Sequence, residues 1–335
     1  MREAAFIKQN KDKWLKFESK IFGNLSTNPD ELSSLYIHLM NDLAYAQTYY
    51  PKSKTILYLN NLAARTFQKI YKSKPEDSNR IKTFFTTEVP LIIYEYRRYL
   101  YYAFTFFIIF VAIGVISAMN DDSFVRLILG DSYVNMTLEN IEKGDPMAVY
   151  KSGSNWGSHI GITINNLKVG LMSYVYGIMA GVGTLYVLLQ NSIMLGAFQY
   201  FFYKHGVFAE SLRGIWIHGS MEIFAMVIEA MAGLILGASW LFPGTLTRVQ
   251  SLKIGVKKSL KIVFSTFPFT IAAGFLEGYV TRYSNIMPTW LSIAIILITL
   301  GSISFYYFVY PSVIYKKKQA EIISVHKGTS TIRTA

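Results

Sequence analysis

Long uncharged runs alternate with short charged segments along this chain, and the runs predict its elements. Five stretches are long and almost free of charge: Leu100–Met119, Leu167–Leu189, Ile215–Trp240, Ser259–Val280 and Trp290–Tyr310. About 20 apolar residues in a row are what a helix needs to cross the hydrocarbon core of a bilayer. A sixth segment, Asn191–Phe208, is apolar and barely long enough to cross. Before residue 98 the pattern is mixed and amphipathic. There Asn28-Pro29-Asp30-Glu31 reads as a helix start, with Pro just inside and acids in the first turn. Lys74-Pro75-Glu76-Asp77 reads as a break before a last amphipathic helix.

Composition agrees with the pattern. Of 335 residues, 52% are hydrophobic and only 16% charged, against about 25% charged in a soluble domain. The absence of Cys excludes disulfides, thiolate metal sites and cysteine nucleophiles. The net charge of +12 is a nucleic-acid footprint only if it lies on one water-facing surface, and it does not. Basic residues dominate residues 1–98, the stretch 248–261 and the tail with Lys316, Lys317 and Lys318, whereas residues 120–165 carry three basic groups against six acids. Positive charge marks the cytoplasmic side of a membrane protein. Five crossings would put the two basic ends on opposite sides, and a sixth removes the conflict. Met1–Lys20 has no apolar core of a secretory signal.

The expected fold is therefore an all-α polytopic bundle of about six spans, the third short or re-entrant, with an N-terminal cytoplasmic helical domain. The expected boundaries are 1–98 for that domain, 99–315 for the membrane domain and 316–335 for a basic cytoplasmic tail. The loop 120–165 is too long for a plain connection and is expected outside, with short helices near Ser123–Leu129 and Tyr133–Glu142. Trp14, Lys16, Phe17, Lys20 and Phe22 read either as an inner-leaflet patch or, preferentially, as a solvated face over a small core.

Three GxxxG motifs, Gly177–Gly181, Gly233–Gly237 and Gly274–Gly278, predict close helix packing in lipid, within one compact bundle or in a homo-oligomer. Asn191 opens the short third segment, where its amide can cap a helix or bond across the bundle. No Walker A sequence, Gly-rich nucleotide fingerprint or HExxH is present.

Between Asn166 and Pro311 there is no Asp, and the only Glu are Glu210, Glu222, Glu229 and Glu277. Ionisable groups at membrane depth are costly and mark function. His218 and Glu222 are four apart and share a helix face. Glu229 lies seven beyond, on nearly the same face, and the topology puts Glu277 in the outer half of the fifth span. His218, Glu222 and Glu277 form a candidate site for Zn²⁺ or another divalent metal, with Ser220 or Tyr279 as supporting groups. Glu222 and Glu229 are the candidates for proton handling. The competing reading is a buried His–Glu hydrogen bond, with Glu277 paired to Arg213 or Arg282. His159 and Trp156 are placed above the site. His205 and Glu210 read as loop residues, and His38 and His326 as surface residues.

The membrane half resembles the stage II sporulation protein M (SpoIIM) family. The resemblance rests on Asn165-Asn166-Leu167-Lys168-Val169, Gly181-Val182-Gly183-Thr184, Leu188 to Gly196, His218-Gly219-Ser220-Met221-Glu222 with Ala225 and Ala232-Gly233-Leu234, and Gly274-Phe275-Leu276-Glu277-Gly278-Tyr279-Val280-Thr281. Ser192 and Arg282 depart from residues common there, Gly and Pro. The resemblance implies an all-helical multi-pass protein of the bacterial cytoplasmic membrane that works with partner proteins in envelope remodelling. It makes His218, Glu222 and Glu277 motif positions without assigning their chemistry. Three functions stay open: a scaffold for other envelope proteins, a metal-dependent intramembrane hydrolase, and a permease-like transport component. Lipid is an expected partner and nucleic acid is not.

Overall fold

The computed structural model describes residues 2–22, 29–70, 79–148 and 155–332, and their side chains except at 20–22, 29–32, 68–70, 155–159 and 324–332. The break predicted at Lys74–Asp77 and the side chains of Lys20, Phe22, Trp156, His159 and His326 lie outside that set. The described residues are overwhelmingly helical and contain no strand. They divide into two compact units, Met1–Arg80 and Ile81–Ala335.

The first unit is built from α1 (Glu3–Phe22), α2 (Pro29–Tyr49) and α3 (Lys54–Ile70). Helix α2 begins at Pro29, where the Asn-Pro-Asp-Glu signature places a helix start. Phe6, Trp14, Phe17, Leu39, Leu43 and Leu59 form its core. Trp14 Nε1 donates to Asp42 at 2.8 Å, and Lys13 reaches the same carboxylate at 2.5 Å. Trp14 and Phe17 are thus core residues of the unit rather than part of a solvated face, and His38 is exposed.

The second unit opens with α4 (Arg80–Thr83), a π-helical turn Phe84–Glu88 and α5 (Val89–Glu95). Residues 81–98 therefore pack with the membrane half, and the unit boundary falls earlier than the expected 98. The reason is local: Val89 and Ile93 are buried in the main core, and Tyr94 stacks on Tyr315 at 4.0 Å between ring centres. Then follow α6 (Arg97–Asn120), α7 (Asp122–Leu129), α8 (Asp131–Glu142), α9 (Asn155–Val175), α10 (Val182–Lys204), α11 (Phe208–Leu241), α12 (Arg248–Phe275), α13 (Thr289–Ser304) and α14 (Tyr310–Ile332).

Five helical stretches are long and apolar enough to cross a membrane: 97–120, 182–204, 208–241, 248–283 and 289–323. Helix α11 is the axis, packed by α6, α9, α10, α12 and α13. On α6, Ala103, Gly114 and Ala118 are buried while Ile108 and Ile116 are exposed. Small residues inward and large apolar ones outward is how helices pack in lipid. Asp122 pairs with Lys204, which puts the end of α6 and the end of α10 together. At the opposite end, α5 packs on α14.

The second and third crossings divide differently from expectation. The run Leu167–Leu189 is not one helix, because the chain breaks between Tyr176 and Gly181, with Ala180 and Gly181 both at positive φ. Helix α10 then runs the full 23 residues to Lys204. Before the break lies α9, which begins at Asn155 inside the polar stretch assigned to the loop and is not among the five stretches apolar enough to cross. Gly181 at φ 81 is why the break sits there, since the left-handed region costs glycine nothing. Gly177–Gly181 is consequently a turn rather than a helical motif. It still packs closely: a Cβ on Gly177 would lie 2.2 Å from the carbonyl of Gly233, and one on Gly237 would lie 2.3 Å from the amide nitrogen of Gly181. Two of the glycine pairs therefore meet each other inside one chain. Gly274 and Gly278 are buried.

Candidate metal centre

Helix α11 carries His218 and Glu222 one turn apart on its cavity face, and Glu229 two turns further along. Glu277 comes from the far end of α12, in a π-helical turn Leu276–Val280. A π turn widens the helix and re-aims the side chains it carries, and such turns recur at functional sites. His218, Glu222 and Glu277 converge: one ligand atom from each lies within 4.8 Å of the other two. All three side chains are largely buried, His218 to 5% and Glu277 to 11% exposure.

Both ring nitrogens of His218 face an oxygen. Its Nδ1 meets Thr281 Oγ1 at 3.0 Å, while Nε2 faces Glu277 Oε2 at 3.7 Å. That distance is too long for a hydrogen bond. Ligand atoms about 2.1 Å from a tetrahedral Zn²⁺ stand roughly 3.4 Å apart, so this pair already has nearly that spacing. Thr281 does for the ring what an outer-shell partner does for a ligating histidine, fixing which nitrogen points inward. Thr281 follows Glu277 by four residues, a spacing that marks it as a neighbour on the same helical face.

Two of the groups named as alternatives bond elsewhere. Ser220 bonds Thr299 at 2.6 Å and does not support the cluster. Arg213 donates to Thr289 at 2.9 Å rather than to Glu277. Tyr279 stacks on Phe275. Asn191 lies within α10, where Nδ2 donates to the Val187 carbonyl at 2.8 Å, so it neither begins nor caps a helix. His205 closes α10 with its ring tilted against Phe201, and Glu210 lies in the first turn of α11.

Glu229 is 2% exposed and belongs to a different hydrogen-bonded group. Thr266 Oγ1 lies 2.7 Å from Glu229 Oε1 and 2.7 Å from the carbonyl of Val263. A hydroxyl has one hydrogen, so both contacts reach full strength only with a hydrogen on the Glu229 carboxyl. Gly170 makes room for it, since a Cβ there would lie 1.9 Å from Glu229 Oε2.

All four groups line one cavity of about 590 Å³ between α9, α10 and α11. Ligand pockets fall in this size range. Ile128, Leu129 and Tyr133 of α7 and α8 line its near end, and Thr270 and Glu229 its depth. Tyr133 lies outside the spans, and burial pushes its phenol up to about 12, partly offset by Thr137. Neither Lys nor Arg occurs among the described residues that line the cavity. Two carboxylates this close, in a cavity that no Lys or Arg lines among the described residues, favour a cation or a proton between them.

The family model of Stage II sporulation protein M matches residues 103–282, which run from α6 to the turn after α12 and include His218, Glu222, Glu229 and Glu277. A family described as a domain of unknown function, DUF8413, matches residues 4–72, the helices of the first unit. No curated protein and no solved structure matches the chain. With 180 of its 335 residues under the first of these matches, the chain belongs to the Stage II sporulation protein M family and is a membrane protein of that family.

Proposed function

We infer that His218, Glu222 and Glu277 hold a divalent cation beside the cavity, and that the chain is a metal-dependent hydrolase of the membrane. Its setting in this reading is the bacterial cytoplasmic membrane, with both termini cytoplasmic and α7 and α8 outside. The observation that carries the reading is the convergence of three ligand atoms within 4.8 Å. The Thr281 contact on the back of the His218 ring supports it. A bound cation there supplies a Lewis acid and an activated water. Glu222 and Glu277 hold it by charge, and Glu229, hydrogen-bonded to Thr266, is a proton-holding group deeper in the same cavity. Envelope remodelling is the process that the family suggests, and partner envelope proteins would meet the chain at α7, α8 or the first unit.

Elemental analysis of the purified full chain tests this. About one equivalent of Zn or Mn is expected in the wild type and none in His218→Ala or Glu277→Ala, provided both variants elute as folded protein. A folded wild type with no stoichiometric metal, after purification without chelators and with added Zn²⁺ or Mn²⁺, overturns it. In that case a scaffold role through the outer helices becomes the better account.

A further inference from the structure

The end of the second unit where α5 meets α14 carries positive charge that no described acid neutralises. Arg97 lies over the Tyr94 ring at 4.3 Å and donates to the Tyr94 carbonyl at 3.0 Å. Tyr94 in turn stacks on Tyr315, the residue before Lys316, Lys317 and Lys318. The stack thus brings two basic runs from distant parts of the chain to one corner. Arg97, Arg98 and the three lysines are exposed, and none of them is in an ion pair among the described residues. Glu88 and Glu95, the acids before the first run, are held by Lys261 and Lys258. Glu321 is the only acid on α14, so the cations stay well in excess. Like charges gathered on a fixed aromatic pair repel one another and attract an anion.

What borders this corner is apolar. Of the five membrane-length stretches, 97–120 and 289–323 are the least buried, so in a protein of the membrane their outer faces meet lipid. One turn into α6, Tyr101 and Tyr102 are about half exposed, and so are Val309 and Val313 around the start of α14. Rings close the surface between the two elements: Tyr101 and Phe104 both meet Phe308, at 6.3 and 5.1 Å between ring centres. Basic residues followed within a turn by exposed Tyr are the pattern of a helix at the headgroup boundary. Charge and then rings is also the order of parts in an anionic phospholipid, a phosphate head followed by acyl chains. Arg supplies the forked donors that match phosphate oxygens. An acidic peptide or a nucleic acid would engage the cations and leave the apolar strip unused.

We propose that Arg97, Arg98, Lys316 and Lys317 hold the head group of one anionic phospholipid, with an acyl chain along the strip from Tyr101 to Phe308. This site shares no residue with the cavity and does not depend on the metal reading.

The test is native mass spectrometry of the full chain in detergent, with dioleoylphosphatidylglycerol and dioleoylphosphatidylcholine as separate probes. Inorganic phosphate and a poly-glutamate peptide serve as competitors. The anionic lipid is expected at one per chain, at least tenfold tighter than the zwitterionic one, and neither competitor should displace it. Arg97→Gln with Arg98→Gln, and Lys316→Gln with Lys317→Gln, should each lower that preference at least fivefold. Lys253→Gln with Lys257→Gln, an exposed basic pair on α12, should leave it within twofold. If a double variant does not fold, the single changes Arg98→Gln and Lys317→Gln replace it, each with an expected loss of at least twofold. Equal binding of the two lipids overturns the proposal. So does an equal loss in the α12 control, which would make the attraction a general effect of net charge. Displacement by phosphate or by the peptide overturns it too, and assigns the corner to a free anion or to an acidic protein.

Discussion

At the scale of single residues, the candidate centre depends on how each donor is held. Replacing Thr281 by Val removes the contact to His218 Nδ1 and leaves all three ligand side chains in place. Outer-shell losses of this kind weaken metal binding about 10–100-fold, so a metal titration of Thr281→Val should show a drop of that order. Glu229→Gln should keep stoichiometric metal and wild-type thermal stability, because a Gln amide also bonds Thr266; Glu222→Gln should lose the metal. In the first unit, Tyr58 is pushed up to about 12 by burial and by its bond to Glu18. A phenol raised above its unfolded value of 10.0 stabilises the fold fully below pH 10, and that contribution is lost as pH rises from 10 to about 12. The difference in phenolate absorbance between wild type and Tyr58→Phe measures it. His218, Glu222 and Glu277 were legible because the rest of their runs carry so little charge. Gly170 was not, since its role is set by a carboxylate on another helix.

At the scale of elements, the glycine contacts decide where α9 ends and how it meets α11. Gly177→Ala would drive a Cβ to 2.2 Å from the Gly233 carbonyl, and forced overpacking costs about 1–3 kcal/mol or more. Gly161→Ala on the same helix meets nothing within 4 Å and should gain about 0.5–1 kcal/mol from helix propensity. Thermal unfolding in detergent should move down for the first and up for the second. Helices α6, α11 and α13 could be read from their apolar runs alone. The division of the second and third crossings could not, because Tyr176–Gly181 interrupts the helix without interrupting hydrophobicity, and α9 starts in a polar stretch. A left-handed glycine leaves no mark in a hydropathy pattern.

At the scale of the whole molecule, the charge distribution predicts sidedness, and the helix connections are consistent with it. The ends of α6 and α10 meet through Asp122 and Lys204, and α5 meets α14 at the other end. The chain contains no Cys, so single cysteines report cleanly. A membrane-impermeant maleimide applied to intact cells should label Ser132→Cys on α8 and spare Lys11→Cys and Lys317→Cys until the membrane is opened. Labelling of Lys317→Cys in intact cells would refute the assigned orientation. Sidedness is a prediction from the sequence alone, since it depends on how many charges lie in each segment rather than on any contact. The cavity was the least legible feature, being assembled from α7, α8, α9, α10, α11 and α12 together.

Helix α12 joins the two ends of this molecule. Lys258 and Lys261 tie its first part to Glu95 and Glu88, each at 2.5 Å. Pro268 interrupts its backbone ladder midway, and Glu277 stands just past its last turn. One element therefore carries both the lysines that hold residues 88 and 95 and, just beyond its end, the turn that presents Glu277.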